Sequence, residues 1–353
     1  MNLSDFDYDL PEELIAQHPP ATRGGSRLMV LDRQRQTIEH CGFDDLTRFI
    51  VPGDLLVVND TKVVAARVEG KKPTGGKVSV LFLEEAEGGA TCLISGKGIR
   101  PQTTVILPGG IEAQIVGRDR ETGSGAWRVS VRFPEGLFDY LETWGMPPLP
   151  PYIKRTDGWD PAADRDRYQT IYARDPGSVA APTAGLHLTE EMTRRIREGG
   201  AHVAAVTLHV GIGTFLPIRT DLIEDHRMHA ERYRIPPETA RAIVGAKERG
   251  GRVIAVGTTT TRALEGAAAQ QGNPTGDAKN RIEPGSGVTS LFITPGFRFA
   301  MVDALVTNFH LPRSTLLVLV SAFAGHRLIM DAYREAVRER YRFFSYGDAM
   351  LIL

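Results

Sequence analysis

A chain of 353 residues with 42% hydrophobic content can bury a sizeable core and exceeds the usual size of one domain, so two domains are expected. The 42 lysines and arginines balance 43 aspartates and glutamates, which removes any general demand for a polyanionic partner while leaving room for local basic patches. Only Cys41 and Cys92 occur, no basic-flanked apolar leader opens the chain and no long apolar run crosses it; disulfide frameworks, cysteine zinc sites and membrane spans are excluded, and a cytoplasmic location is expected.

Pro11 to Gln17 reads as a short helix with proline at its first position. The loop HPPATRGGSR then delivers Arg23, Ser26 and Arg27 to a strand, Leu28 to Leu31. Thr37 to His40 can pair back as a hairpin, and Asp44 to Phe49 is a helical turn. Asp54 to Val58 is a buried strand ending in Asn59, Asp60, Thr61 and Lys62. That string puts an amide, a carboxylate, a hydroxyl and an ammonium where α/β proteins commonly place ligands, although a plain Asx turn explains it equally well.

From about Ala65 the texture changes to short, partly alternating runs separated by glycine-rich turns: ARVEG, KVSVLFLEE, ATCLISG, TTVILPGG, IEAQIVGR and AWRVSVRF. A helix, Glu135 to Trp144, follows. Residues 63–150 therefore read as a small antiparallel β-barrel domain inserted into an α/β main domain made of residues 1–62 and 151–353, with MPPLPPYIKR as a stiff return. After the return, Tyr152, Trp159, Tyr168 and Tyr172 interleave with Lys154, Arg155, Arg165 and Arg167, a pattern that suits base stacking and phosphate contact and also suits an ordinary exposed loop.

The segment GSVAAPTAGLHLT, Gly177 to Thr189, is too irregular for core. A strand end at Val179 to Ala181 runs into Pro182, then Thr183, Gly185 and His187, and Thr189 caps a helix, Glu190 to Glu198. Val203 to Val210 is a strand that opens into a glycine loop carrying His209, Gly211 and Gly213, with Phe215 and Pro217 beyond; no helix follows as a dinucleotide loop would require. Arg227 to Ile235 alternates so that His229 and Glu231 share a face. His226 and His229 fall on opposite faces, which argues against a metal there. Pro237 to Arg249 is a helix, RVIAV a strand and GTTTT a loop, with Arg262 opening the next helix; Thr258 and Thr259 suit an anion or ribose hydroxyls, or simply cap that helix. Gly272 to Gly287 reads as mobile and Ser290 to Thr294 as a strand. Asp303, Asn308, His310 and Ser314 precede an apolar helix, a charged helix spans Leu328 to Arg340, and the terminal LIL is a central strand. Histidines at strand ends, with Asp60, Glu231 and Asp303 beside them, suit proton transfer near neutral pH.

The strings YDLPEELIAQHP, DLLVVNDTKV, PLPPYIKR, DRYQTIYA, GSVAAPTAGLHLT, VTLHVGIGTF, HRMHAERY, VGTTTTRALE, VDALVTNFHLPRSTLLVLVSAFAG and YRFFSYGDAMLIL occur in one order from Tyr8 to Leu353. Together they resemble the S-adenosylmethionine:tRNA ribosyltransferase-isomerase family of queuosine biosynthesis. Leu188 stands where the family usually has an aromatic, and the Gly24-Gly25 loop departs from an acidic version, leaving the role of Arg23 open. The resemblance implies transfer and isomerisation of the ribosyl part of S-adenosylmethionine onto 7-aminomethyl-7-deazaguanine at the tRNA wobble position, giving epoxyqueuosine, adenine and methionine. In the scheme it implies, a base removes a C5′ proton acidified by the sulfonium and adenine leaves as the ribose ring opens. The amine of the modified base then attacks, and epoxide closure expels methionine. S-adenosylmethionine is then a co-substrate, with no prosthetic group, no metal, no membrane, and a monomer expected. Within that scheme His187 or His209 is the C5′ base, Asp60 and Glu231 bind ribose hydroxyls or orient an imidazole, and His310 is the acid toward adenine. Thr183, Gly185, Gly211, Gly213, Thr258 and Thr259 line the co-substrate pocket; Lys154, Arg155, Arg167 and Arg262 contact tRNA phosphates. A methyltransferase using the same co-substrate and a non-catalytic tRNA-binding protein are the alternatives.

Overall fold

The computed structural model describes residues 1–119, 125–155, 161–211, 213, 218, 220–272 and 281–353. Trp159, positions 212 and 214–217 of the glycine loop, and positions 273–280 lie outside them. The chain forms two compact units, one of Met1–Lys62, Pro150–Asp157 and Arg167–Leu353, the other of Val63–Leu149 and Gly158–Asp166. Residues 161–166 thus group with the smaller unit, where the Arg165 guanidinium donates to the backbone carbonyls of Glu142 (3.3 Å) and Gly145.

The larger unit is built on a nine-stranded mixed sheet whose spatial order is Gly285–Thr289, Glu231–Ile235, His202–Leu208, Leu55–Asn59, Val253–Val256, Ala304–Asn308, Ala349–Ile352, Arg27–Asp32 and Thr37–Gly42. The middle four, from His202–Leu208 to Ala304–Asn308, are mutually parallel. Helices cover both faces, so the inner strands bury both sets of side chains and read as continuous apolar runs such as LLVV and VIAV. Met29, Leu31, Leu55 and Val57 enter one core with the Pro237–Glu248, Thr258–Gln270, Thr315–Ala324 and His326–Arg338 helices. Leu28, Val30, Leu56 and Val58 enter the other, against Phe43, Leu46, Met192 and Ile196. The terminal LIL does lie inside the sheet, parallel to Arg27–Asp32 and antiparallel to Ala304–Asn308.

The smaller unit is a closed six-stranded antiparallel barrel in the order Trp127–Ser130, Gly89–Ser95, Lys77–Ala86, Arg67–Lys71, Thr104–Ile106 and Glu112–Arg118. Alternation sends Val78, Val80 and Phe82 inward with Ala90, Cys92, Ile115 and Trp127, and the Leu137–Trp144 helix adds Leu137, Tyr140 and Leu141 to that core. A Cβ on Gly89 would stand 1.9 Å from the Val129 carbonyl oxygen, so only glycine lets these strands approach so closely.

Several local expectations give way. The Pro11 segment is only a 3-10 turn, Glu12–Leu14, and Phe43–Phe49 is likewise a 3-10 helix. The four threonines are not a loop: Gly257 at φ 92° ends the strand, and Thr258 already opens the helix. Asp175–Ser178, not Val179 to Ala181, is the strand before Pro182, and it forms a ribbon with the strand starting at Thr61. The alternating Arg227 segment becomes a strand only at Glu231–Ile235, so His229 does not share its face. The strand here is Gly285–Thr289 and not Ser290 to Thr294.

Candidate active site

Parallel strands direct their carboxyl ends to one edge of the sheet, and that edge is where an α/β fold can open a crevice. Here the four ends are Leu208, Asn59, Val256 and Asn308. Asn59 ties three of them together. Its Nδ2 donates to the Leu208 carbonyl (3.0 Å) and to Thr259 Oγ1 (3.2 Å), and its Oδ1 accepts from the Leu208 and Thr61 N–H groups.

Beside this knot lies a largely apolar cavity of about 320 Å³, lined by Thr183, Thr258, Thr259 and His310 among the residues expected from sequence. Two helices start at its wall, Thr258–Gln270 behind Gly257 and Thr315–Ala324 behind Ser314, whose hydroxyl accepts from the Leu317 N–H (3.2 Å). Their unpaired N–H groups make this side electropositive. Two further lining residues, Arg313 (φ 57°) and Phe344 (φ 71°), hold left-handed backbone that is unfavourable for side-chain-bearing residues, and such strain concentrates where a ligand is clamped.

His310 is buried in this wall. Its backbone N–H donates to the Tyr333 hydroxyl (2.9 Å), its carbonyl accepts from the Tyr8 hydroxyl (2.5 Å), and its Nε2 stands 2.8 Å from Thr307 Oγ1. Burial pushes its pKa down to about 3, so the imidazole is neutral at pH 7. At neutral pH the ring is uncharged, so a proton given toward adenine would come from the neutral imidazole N–H and not from an imidazolium.

Asp60 and His209 sit at the same strand edge but do not line the cavity. Asp60 is buried, accepting from Thr207 Oγ1 (2.7 Å) and pairing with Arg174 (2.8 Å). His209 is half-buried with Nδ1 2.9 Å from Thr61 Oγ1; burial lowers its pKa against the pull of Asp175, which itself pairs with Arg234 (2.7 Å).

The remaining expected residues fall elsewhere. His187 is buried with Nδ1 2.8 Å from Ser26 Oγ and its ring 4.9 Å from that of Phe43, and burial pushes its pKa down to about 4. It does not line this cavity itself but lies beside Asn308, which does, and lines a small adjoining pocket with Ser345 and Tyr346. Gly185 is packed under Tyr172, whose hydroxyl oxygen lies 2.0 Å from where a Cβ would be, so its role is close packing. Glu231 and Arg262 are both buried and form an ion pair, with Glu231 also accepting from the Gly211 N–H (3.0 Å) and Arg262 donating to the Leu291 carbonyl (3.2 Å). Arg262 is therefore not a phosphate ligand, and Glu231 is held away from ribose, because each neutralises the other inside the protein. Gly213 packs against the His229 ring. Asp303 pairs with Lys247 (2.7 Å). Lys154 is exposed and pairs with Glu12 (2.6 Å), while Arg155 and Arg167 donate to the Gln17 carbonyl (2.7 Å) and the Pro20 carbonyl (2.6 Å). Arg23, left open by the sequence, braces the His187 segment through the Gln169 and Leu186 carbonyls (3.0 and 3.2 Å).

The cavity wall also holds Phe309 and Ser345, which the sequence reading does not single out, and Tyr152 and Tyr168, which it takes as part of a base-stacking pattern or an exposed loop. Tyr152 and Ser345 meet hydroxyl to hydroxyl at 2.6 Å, and the Asn308 side chain donates to the Phe344 carbonyl (2.8 Å). The available signal was the polar and aromatic SYGD stretch just before a terminal strand.

A family model described as queuosine biosynthesis protein matches residues 3–352. The chain belongs to the queuosine biosynthesis protein family. It is 52% identical to the S-adenosylmethionine:tRNA ribosyltransferase-isomerase of Geobacter sulfurreducens and 51% identical to that of Pelotomaculum thermopropionicum, with all of both chains covered in each case. Among solved structures it resembles the S-adenosylmethionine tRNA ribosyltransferase of Thermotoga maritima, at 38% identity and a TM-score of 0.54, over 99% of this chain and 100% of that one. The family therefore combines the α/β unit and the barrel across its full length.

Proposed function

We propose that this member of the family is a ribosyltransferase-isomerase, moving the ribosyl moiety of S-adenosylmethionine onto 7-aminomethyl-7-deazaguanine in the tRNA anticodon, with release of adenine and methionine. The observation that carries the reading is end-to-end identity of 52% to a relative bearing that name. The cavity agrees in kind. Its 320 Å³ lies within the range of roughly 300–1,000 Å³ for small-molecule sites, and its apolar wall and two helix N-termini suit an adenosyl group and a carboxylate.

Within that reading Thr183, Thr258 and Thr259 contact the co-substrate, and His310 acts at the reacting ribose as a neutral imidazole. Thr307 Oγ1, 2.8 Å from Nε2, orients the His310 ring; when Nε2 donates to it, the other ring nitrogen is left to accept the C5′ proton or hold a hydroxyl. His209 and Asp60, at the adjoining strand end, serve the tRNA side of the reaction. The largely apolar cavity wall disfavours water around the ring-opened intermediate. A reducing cytoplasm suits the unbonded Cys41 and Cys92, and we infer that the enzyme acts there as a monomer.

The deciding experiment is incubation with S-adenosylmethionine and tRNA bearing the aminomethyl base, followed by chromatography. Stoichiometric adenine and methionine are expected. Transfer of a labelled methyl group without adenine release would instead establish a methyltransferase, and binding without consumption a non-catalytic protein.

A further inference from the structure

We propose that one end of the barrel, carrying Lys71, Lys77, Lys97 and Arg100, is a docking surface for the phosphate backbone of RNA; this rests on the reading that tRNA is the substrate. Lys71 closes the strand Arg67–Lys71 and lies directly opposite Lys77, the first residue of Lys77–Ala86. On the other side of that strand Ser79 faces Ser95, the last residue of Gly89–Ser95, and Lys97 follows in the turn beyond it. Lys72 clamps the two turns together by donating to the Lys97 and Gly98 carbonyls. Two strand ends and the turn beside them thus bring three lysines to one end of the barrel, with neighbouring strands about 5 Å apart. Arg100 follows on the same loop.

All four side chains are exposed, and none of them forms an ion pair among the described residues. The neighbouring carboxylate, Glu69, accepts instead from Ser79 Oγ (2.5 Å). Like charges directly opposite on a hairpin oppose folding, and barrel closure does not need them, since the inward positions are Val68, Val78 and Val80. Such a cluster persists at a cost unless an anion meets it. Beside it runs an open groove lined by Gly70, Ile106, Leu107 and Pro108. The turn at the far end of the same hairpin carries exposed Glu84, Glu85 and Glu87, about 30 Å away along a ten-residue strand. This hairpin is therefore basic at one end and acidic at the other. The cations of the return segment are less available: Lys154 is paired with Glu12, and Arg155 and Arg167 are engaged by backbone carbonyls.

The test compares the full-length protein with a variant carrying Lys71→Gln, Lys77→Gln, Lys97→Gln and Arg100→Gln. Binding of a fluorescein-labelled tRNA transcript is followed by anisotropy between 50 and 300 mM salt as a choice of range spanning the Debye regime. Each lost phosphate contact removes about 0.7–0.9 from the slope of log affinity against log salt, so the slope should shrink by about 2–4 and affinity near 0.1 M salt should fall about 100-fold. S-adenosylmethionine affinity and kcat at saturating tRNA should stay unchanged, and the melting temperature should hold or rise as the like charges are removed. Unaltered tRNA affinity and slope in this variant would overturn the proposal, as would a loss that instead follows Lys154→Gln, Arg155→Gln and Arg167→Gln. Adenine release by the unsubstituted protein is scored separately, so a failed functional reading is not mistaken for a failed docking surface.

Discussion

Burial of His187 and His310 couples stability to pH through single side chains. Each imidazole holds its proton less readily folded than unfolded, so between the ordinary value near 6.5 and about pH 4 for His187, or about pH 3 for His310, the unfolded chain carries more protons. Stability is therefore full above pH 6.5 and falls as pH drops through that window. In urea titrations from pH 6.5 to 4.5, His187→Gln should show a shallower loss of stability than the parent protein, by up to one proton's worth of slope. An unchanged slope would acquit His187. The two histidines separate in catalysis as well: His310→Ala should lower kcat/KM by about 10²–10⁴, the usual weight of a positioned acid–base group. His187→Ala should leave kcat within about tenfold wherever the protein is folded, while the stranded Ser26 hydroxyl and the vacated space lower its stability by about 2–4 kcal/mol.

At the scale of single elements, helix starts do two jobs in this protein. Thr189 Oγ1 caps the Glu190–Glu198 helix through the Met192 N–H (3.1 Å), remote from the cavity wall. Thr189→Ala should cost about 1 kcal/mol in a denaturant titration and leave KM for S-adenosylmethionine unaltered. Ser314→Ala should cost a similar amount and also raise that KM, because its helix begins at the cavity. The barrel strands and the LLVV and VIAV strands were legible because their side chains repeat with the period that burial on one or two faces imposes. Thr189 as a cap was equally legible, being a local hydrogen bond. The Thr258 helix start was not, since GTTTT has weak helix propensity and only packing against the sheet overrides it. Nor was the fate of Arg262 and Glu231, whose pairing joins positions 31 residues apart and follows from strand and helix placement alone. The surroundings of His187 were hidden for the same reason: Ser26 and Phe43 come from the far end of the sequence.

Across the whole molecule, two units with separate cores should not melt as one. Gly89→Ala forces a Cβ into the Val129 carbonyl and should lower only the barrel transition in calorimetry, whereas S-adenosylmethionine at 100 times its Kd should raise only the other, by about 2.7 kcal/mol. A single concerted shift in either experiment would contradict this independence. The placement of Ala349–Ile352 between Ala304–Asn308 and Arg27–Asp32 also bears on how the protein is made. Arg27–Asp32 leaves the ribosome some 300 residues before its parallel neighbour, which at about 5–20 residues per second is a wait of roughly 15–60 s. During that interval its second edge has no strand to meet. The barrel, whose strands all lie between Arg67 and Ser130, can finish meanwhile. Nascent chains stalled before residue 345 should therefore give a protease-resistant barrel and a digestible remainder. Chaperone protection during synthesis should matter to the sheet far more than to the barrel.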